Sequence, residues 1–311
     1  MTRNNIFPKK SLSIDERINK LKNRNLMIDN YQLLYDYIHS SHTYYHLTGY
    51  RFLLENYNKD TDDYCKHRSS ELIALCELDK QLSLIFFEEV RKVEESLRTR
   101  LANLCYSDDM VTFIYDEENK VLDLKDNYCI NEGQMHKFIS VTQYDKIKHL
   151  LYSDIFKSKD DPAINHYIHK YDAVIPIWVI INFISFGKLI KLIDCLTTVK
   201  MTQFMEEKPY KRSLNNNDPS RINLLAICML RNKVSHHSNI LGKQSPYIVS
   251  NKLFSIYYLG FISLYKWNLF LYNTNITLPL QRKINDCIVK VNDKFNTNFD
   301  SQLIKNKKII K

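Results

Sequence analysis

Apolar side chains at Leu72, Leu75, Leu78, Leu82, Phe86, Val90, Val93, Leu97, Leu101 and Leu104 recur at a mean spacing of about 3.6 residues, the period of an α-helix. The spacing predicts one long helix over 72–104. Along its edge, Arg91 with Glu95 and Glu94 with Arg98 stand four residues apart, where opposite charges pair on a helix surface. Helical patterns also run from about 13 to 23, opened by a Ser13/Glu16 capping box, and over 31–40, 132–152 and 162–171. A further helix is expected over 177–196, broken only at Gly187. Another starts at Pro219 with Asp218 as its cap and reaches the 230s, followed by one over 251–272 and shorter ones to the end. Residues 107–131 are polar, acidic and aperiodic, which suits a loop or an inserted strand pair.

Composition sharpens this into an all-α expectation. The chain has 5 glycines and 7 prolines in 311 residues, too few for the many tight turns of a sandwich or barrel. The glycines are also too widely separated to form a phosphate-cradling loop, which removes the usual nucleotide folds. Seven cysteines without a C-x-x-C pair do not form a disulfide framework or a zinc ribbon, and no apolar run follows residues 1–10. A cytoplasmic protein is expected. The apolar stretch at 177–196 is interrupted by Asn182, Lys188, Lys191 and Asp194, so no membrane span is expected. The net charge of +9 favours a polyanionic partner without naming one.

The helix after Pro219 carries the candidate chemistry. Its apolar positions Ile222, Leu225 and Met229 continue at the same 3,4 spacing to Asn232 and His236, so polar side chains arrive where apolar ones are expected. Arg231 stands beside them, with Ser235 and His237 following. A guanidinium can hold two non-bridging phosphate oxygens at once, and an imidazole can move a proton near neutral pH. The plainer alternative leaves Asn232 as a helix cap and His236 as an ordinary histidine. Metal chemistry has little support: His166 with His169 and His236 with His237 do not make a three-ligand cluster, so neither a metal nor another cofactor is expected.

Arg231-Asn232-Lys233-Val234-Ser235-His236 resembles the R-x4-6-H signature of HEPN ribonucleases. Other blocks are similar, in order, to those of the Abi-like abortive-infection family, AbiD/AbiF type. They are Tyr44-Tyr45-His46-Leu47-Thr48-Gly49-Tyr50, Leu78-Asp79-Lys80-Gln81-Leu82, Val93-Glu94-Glu95-Ser96-Leu97-Arg98 and Phe183-Ile184-Ser185-Phe186-Gly187-Lys188-Leu189. His46 departs from the Arg or Asn more usual there. The resemblance implies a HEPN-like helical bundle with additional N- and C-terminal helices and at most a small irregular or β insertion near 107–131. One domain would span 1–311: an N-terminal extension at 1–68, a core at 69–272 and a basic C-terminal tail at 273–311.

The implied activity is that of a phage-defence toxin, a metal-independent endoribonuclease with Arg231, Asn232 and His236 as its active-site residues. Glu94, Arg98 and His237 are candidates for a supporting or RNA-binding role. The implied partners are RNA, as substrate and as a structured noncoding antitoxin, and a second copy of the chain, because this sequence holds a single motif where HEPN sites commonly use two. The alternative reading is a non-catalytic RNA-binding or sensing module, for which the same cations would grip a structured RNA.

Overall fold

The apolar period at 72–104 becomes one unbroken helix, α4 (Ser69–Leu104), in the computed structural model, which describes residues 11–41, 44–104, 112–124, 141–206, 220–249, 252–273 and 275–299. Leu72, Leu82, Phe86, Val90, Val93, Leu97 and Leu101 are all fully buried along it. Its first turn is held by Asp29, which accepts from the Ser69 hydroxyl at 2.6 Å and the Ser70 N–H at 3.0 Å. A carboxylate there also complements the positive end of the helix.

Three short helices precede α4. The Ser13/Glu16 capping box forms as its spacing predicts and opens α1 (Ile14–Lys22). Helix α2 (Tyr31–Asp36) runs into a π-helical turn at Tyr37–Ser41, and α3 (Tyr44–Thr48) ends at the Gly49 corner.

The aperiodic 107–131 region contains an antiparallel hairpin, β1 (Thr112–Asp116) and β2 (Val121–Leu124). A third strand, β3 (Val174–Pro176), pairs with the other edge of β1, with Phe113 opposite Ile175. Helices α5 (Val141–Lys157) and α6 (Pro162–Lys170) lie between β2 and β3 in sequence. The expected helix start near Glu132 lies outside the described residues.

The helix expected over 177–196 is two, α7 (Ile177–Phe183) and α8 (Phe186–Asp194), and the break is at Ile184 and Ser185 rather than at Gly187. Both residues are extended, and the Ser185 N–H donates to Asp154 of α5 at 2.9 Å while Lys188 pairs with the same carboxylate at 2.6 Å. That tie turns the chain two residues before the glycine, which sits inside the first turn of α8. Helix α9 (Thr198–Phe204) follows, capped by Thr197.

The last third consists of α10 (Arg221–Ser235), a hairpin of β4 (Gln244–Val249) and β5 (Lys252–Ser255), then α11 (Ile256–Tyr272) and α12 (Thr277–Phe295). Periodicity gave no sign of that hairpin and placed the start of α11 five residues early. The fold is thus mostly α with small β additions. Among the described residues no helix is long and apolar enough to cross a membrane. The basic C-terminal stretch is not simply a solvated face: α12 packs on α4 through Leu280, Ile284, Ile288 and Val291, with Lys283 reaching Glu88 at 3.0 Å.

Helix α10 packs on both α4 and α11. At its start the fully buried Asn223 amide donates to Ser263 of α11 at 2.9 Å and accepts from the Ser220 hydroxyl at 2.7 Å. This polar link fixes the register of α10 against α11. Asn223→Leu should therefore cost about 1–3 kcal/mol, the expense of buried hydroxyls left without partners, read as a lower urea midpoint at unchanged slope. An unshifted midpoint would show that the link contributes nothing.

Candidate functional site

Helix α10 begins at Ser220, whose hydroxyl accepts from the Asn223 N–H at 3.3 Å. Asp218 and Pro219, the expected cap and first residue, lie outside the described residues, and the described helix starts at Arg221. Its buried face consists of Asn223, Leu224, Ala226, Ile227, Leu230 and Val234. The stripe expected to face inward, Ile222, Leu225 and Met229 leading to Asn232 and His236, instead lies at the margin of the core: the three apolar residues are half-buried, with Leu225 and Met229 packed against the core, and Asn232 and His236 are exposed. Two overlapping stripes compete on this helix. The inner one is disguised by the polar Asn223, whose hydrogen bonds make its burial tolerable. Close packing on α11 fixes the outcome, since Leu230 fills the space beside Gly260, where a Cβ would come within 2.7 Å of Leu230 Cδ2.

The helix ends immediately before the histidines. His236 is the C-cap, its N–H donating to the Asn232 carbonyl at 3.1 Å, and His237 adopts the left-handed conformation with φ 50°. The Ser238 N–H then closes on the Lys233 carbonyl at 2.9 Å, a Schellman closure with histidine where glycine is usual. Both imidazoles are exposed.

Arg231 is held from α4. Its Nε lies 3.5 Å from Glu94 Oε2, and Glu94 also pairs with Arg98 at 2.5 Å. Arg98 donates in addition to the Ile184 carbonyl at 2.9 Å and to the Ile181 carbonyl, so its guanidinium holds the end of α7. The Glu94 and Arg98 side chains are 14% and 16% exposed and Arg231 35%, so Arg231 is the cation of the trio with a face open to solvent. Arg231 Nη1 makes a long contact of 3.5 Å with Asn232 Oδ1, and Asn232 Nδ2 lies 4.0 Å from Cys228 Sγ. Burial pushes the Cys228 thiol pKa up, against the opposing effect of Arg231.

The structure thus brings Glu94, Arg98, Arg231 and Asn232 together, with His236 and His237 at the exposed end of the same helix. The Asn232 side chain is directed to Arg231 and Cys228 rather than to the His236 ring. Among the described residues no group of three or more His, Cys, Asp or Glu side chains is placed to hold a metal ion.

A second cluster, not anticipated as part of the site, lies beyond the histidines. Asp79 of α4, 3% exposed, accepts from the Leu241 N–H at 2.7 Å, the Ile240 N–H at 3.1 Å and the Tyr50 hydroxyl at 2.7 Å. Burial raises its pKa to about 6 in spite of these bonds. His46 Nε2 lies 3.3 Å from the Tyr50 hydroxyl, and Gly49 is backed by Asn239, where a Cβ would meet Nδ2 at 2.7 Å. The signal for this cluster is present in the sequence. Asp79 sits between Leu75 and Leu82 at i+4 and i−3, a carboxylate inside an otherwise apolar stripe.

The segments that converge here, 44–50, 78–98, 183–189 and 231–241, come from distant parts of the chain. The family model described as Abi-like protein matches residues 38–241 and so spans all of them. Comparison with curated proteins and with solved structures gave no match. With roughly two thirds of its length covered by that model, the chain belongs to the Abi-like protein family.

Proposed function

We propose that this protein is a metal-independent endoribonuclease of the HEPN type that acts in abortive infection, a role its family suggests. The observation that carries the reading is the pairing of a half-exposed Arg231, fixed from α4 by Glu94, with an exposed Asn232 and His236 one helical turn away. Glu94 engages the Nε side and Asn232 one Nη1 hydrogen, which leaves the outer guanidinium N–H groups for the non-bridging oxygens of a phosphodiester. Asn232 contributes a second polar contact to the phosphate. His236, unencumbered by burial, handles the proton.

In this reaction the ribose 2′-oxygen attacks the adjacent phosphorus and gives up its proton, and the P–O5′ bond breaks as the departing oxygen receives one. The products carry a 2′,3′-cyclic phosphate and a 5′-hydroxyl. His236 serves in these proton transfers, worth about 10²- to 10⁴-fold in rate for a well-placed group. His237, exposed beside it, is a candidate contact for the RNA backbone.

A second copy completes the site. Ile222, Leu225 and Met229 form an apolar stripe of α10 that the chain covers only in part, continuous with the exposed Asn232 and His236. Pairing two such faces would cover the stripes and bring two motifs to one cleft. RNA is the substrate under this reading, and a structured noncoding RNA is the partner that would restrain the enzyme.

With end-labelled RNA in EDTA, the parent protein is expected to cut, and His236→Ala and Arg231→Ala to lose about 100-fold or more in rate. Because His236 is exposed, its variant should unfold at the parental temperature. A His236→Ala protein that cuts as fast as the parent would remove the assignment. Met229→Asp should shift sedimentation from dimer to monomer and make activity fall steeply on dilution. An unchanged dimer would mean that the α10 face is not the interface.

A further inference from the structure

We infer that Asp79 is a positioning residue for the site, holding in place the chain that leaves His236; the inference rests on the ribonuclease reading of Arg231 and His236. Ile240 and Leu241, whose N–H groups Asp79 accepts, follow His236 by four and five residues. The run from His236 to Leu241 is therefore fixed at both ends: by the closure of Ser238 onto Lys233 on one side and by a buried carboxylate on the other. Inside the first of these His237 is held with φ 50°, a conformation that disfavours a side-chain-bearing residue by about 1–2 kcal/mol and persists only where its surroundings fix it.

The need for a carboxylate argues in the same direction. Leu75, Leu78 and Leu82 show what simple packing requires at this level of α4. An ionised group there is costly to bury, and the bonds that offset the cost run to Tyr50 and to the backbone just past the histidines. Tyr50 brings the 44–50 corner into the same arrangement, and Gly49 leaves the room that Asn239 occupies. Helix α4 thus grips the motif twice, through Glu94 at Arg231 and through Asp79 beyond His236. The two grips are 15 positions apart, a rise of about 22 Å along the helix.

Asp79→Asn tests this by replacing one acceptor oxygen with an NH2 group facing the Ile240 N–H and the Tyr50 hydroxyl. Tyr50→Phe is the milder companion, removing one donor and leaving the backbone bonds in place. Hydrogen exchange on the full-length protein should show faster exchange at 237–241 in Asp79→Asn, with the 223–232 stretch of α10 still protected. RNA cleavage should show a kcat lowered about 100-fold, the cost of an ångström-scale misplacement, with KM within threefold. Tyr50→Phe should fall between this variant and the parent in both measurements. Unchanged exchange at 237–241, or faster exchange with parental kcat, would overturn the inference. A parent protein that cuts no RNA would instead defeat the ribonuclease reading, while the exchange measurement would still report whether Asp79 holds the segment.

Discussion

The buried stripe of α4 is the constraint from which the rest of the structure follows. A 36-residue helix is a rod of about 54 Å, and a stripe that runs its length must be covered along that length. The N-terminal corner, α7, α10, α11 and α12 all pack against it, each bringing segments far apart in sequence to a common support. Two of its carboxylates bear on the candidate site. Glu94, at the margin of the stripe, binds one arginine from its own helix and one from α10, and Asp79, within the stripe, binds backbone N–H groups. Glu94 thereby fixes Arg231 of the R-x4-H string, and Asp79 fixes the backbone that follows it.

The electrostatics of the Glu94 trio bear on what Arg231 can do. One carboxylate between two guanidiniums leaves a net positive charge, and Arg98 expends its share on the carbonyls that end α7. Of the two guanidiniums Arg231 is the more exposed, so the positive charge of the trio meets solvent on its side. No backbone cradle of the kind built by glycine-rich loops is available, since the glycines are isolated from one another. Recognition of a phosphate by this protein would fall on side chains, and a guanidinium whose inner edge is already oriented loses less freedom on binding than a free one.

Much of the fold was legible because the strongest signals are local. The α4 period, the Ser13/Glu16 capping box and the helical pattern from Pro162 each depend on residues within a few positions, and each forms as read. The failures are of another kind. Asn223 is buried only because Ser263, forty residues away, accommodates its amide, so the inward stripe of α10 could not be told from the partly covered one by spacing. The break at Ile184 and Ser185 depends on Asp154 from α5, and β3 exists because β1 offers it an edge. The candidate site divides in the same way. Its motif residues and the Glu94/Arg98 pair are visible as spacing, whereas the function of Asp79 appears only when Tyr50, Ile240 and Leu241 are seen around it.

In the proposed reaction the ribose 2′-oxygen is the nucleophile and this chain's side chains alone assist it. The most direct measurement uses a short RNA with one mapped cleavage position, in EDTA, compared with the same RNA carrying a single 2′-deoxy ribose 5′ to that bond. The expected products are a 2′,3′-cyclic phosphate and a 5′-hydroxyl from the first, with the bond intact in the second. Cleavage of the deoxy-substituted bond, or a requirement for added metal, would contradict the proposed reaction.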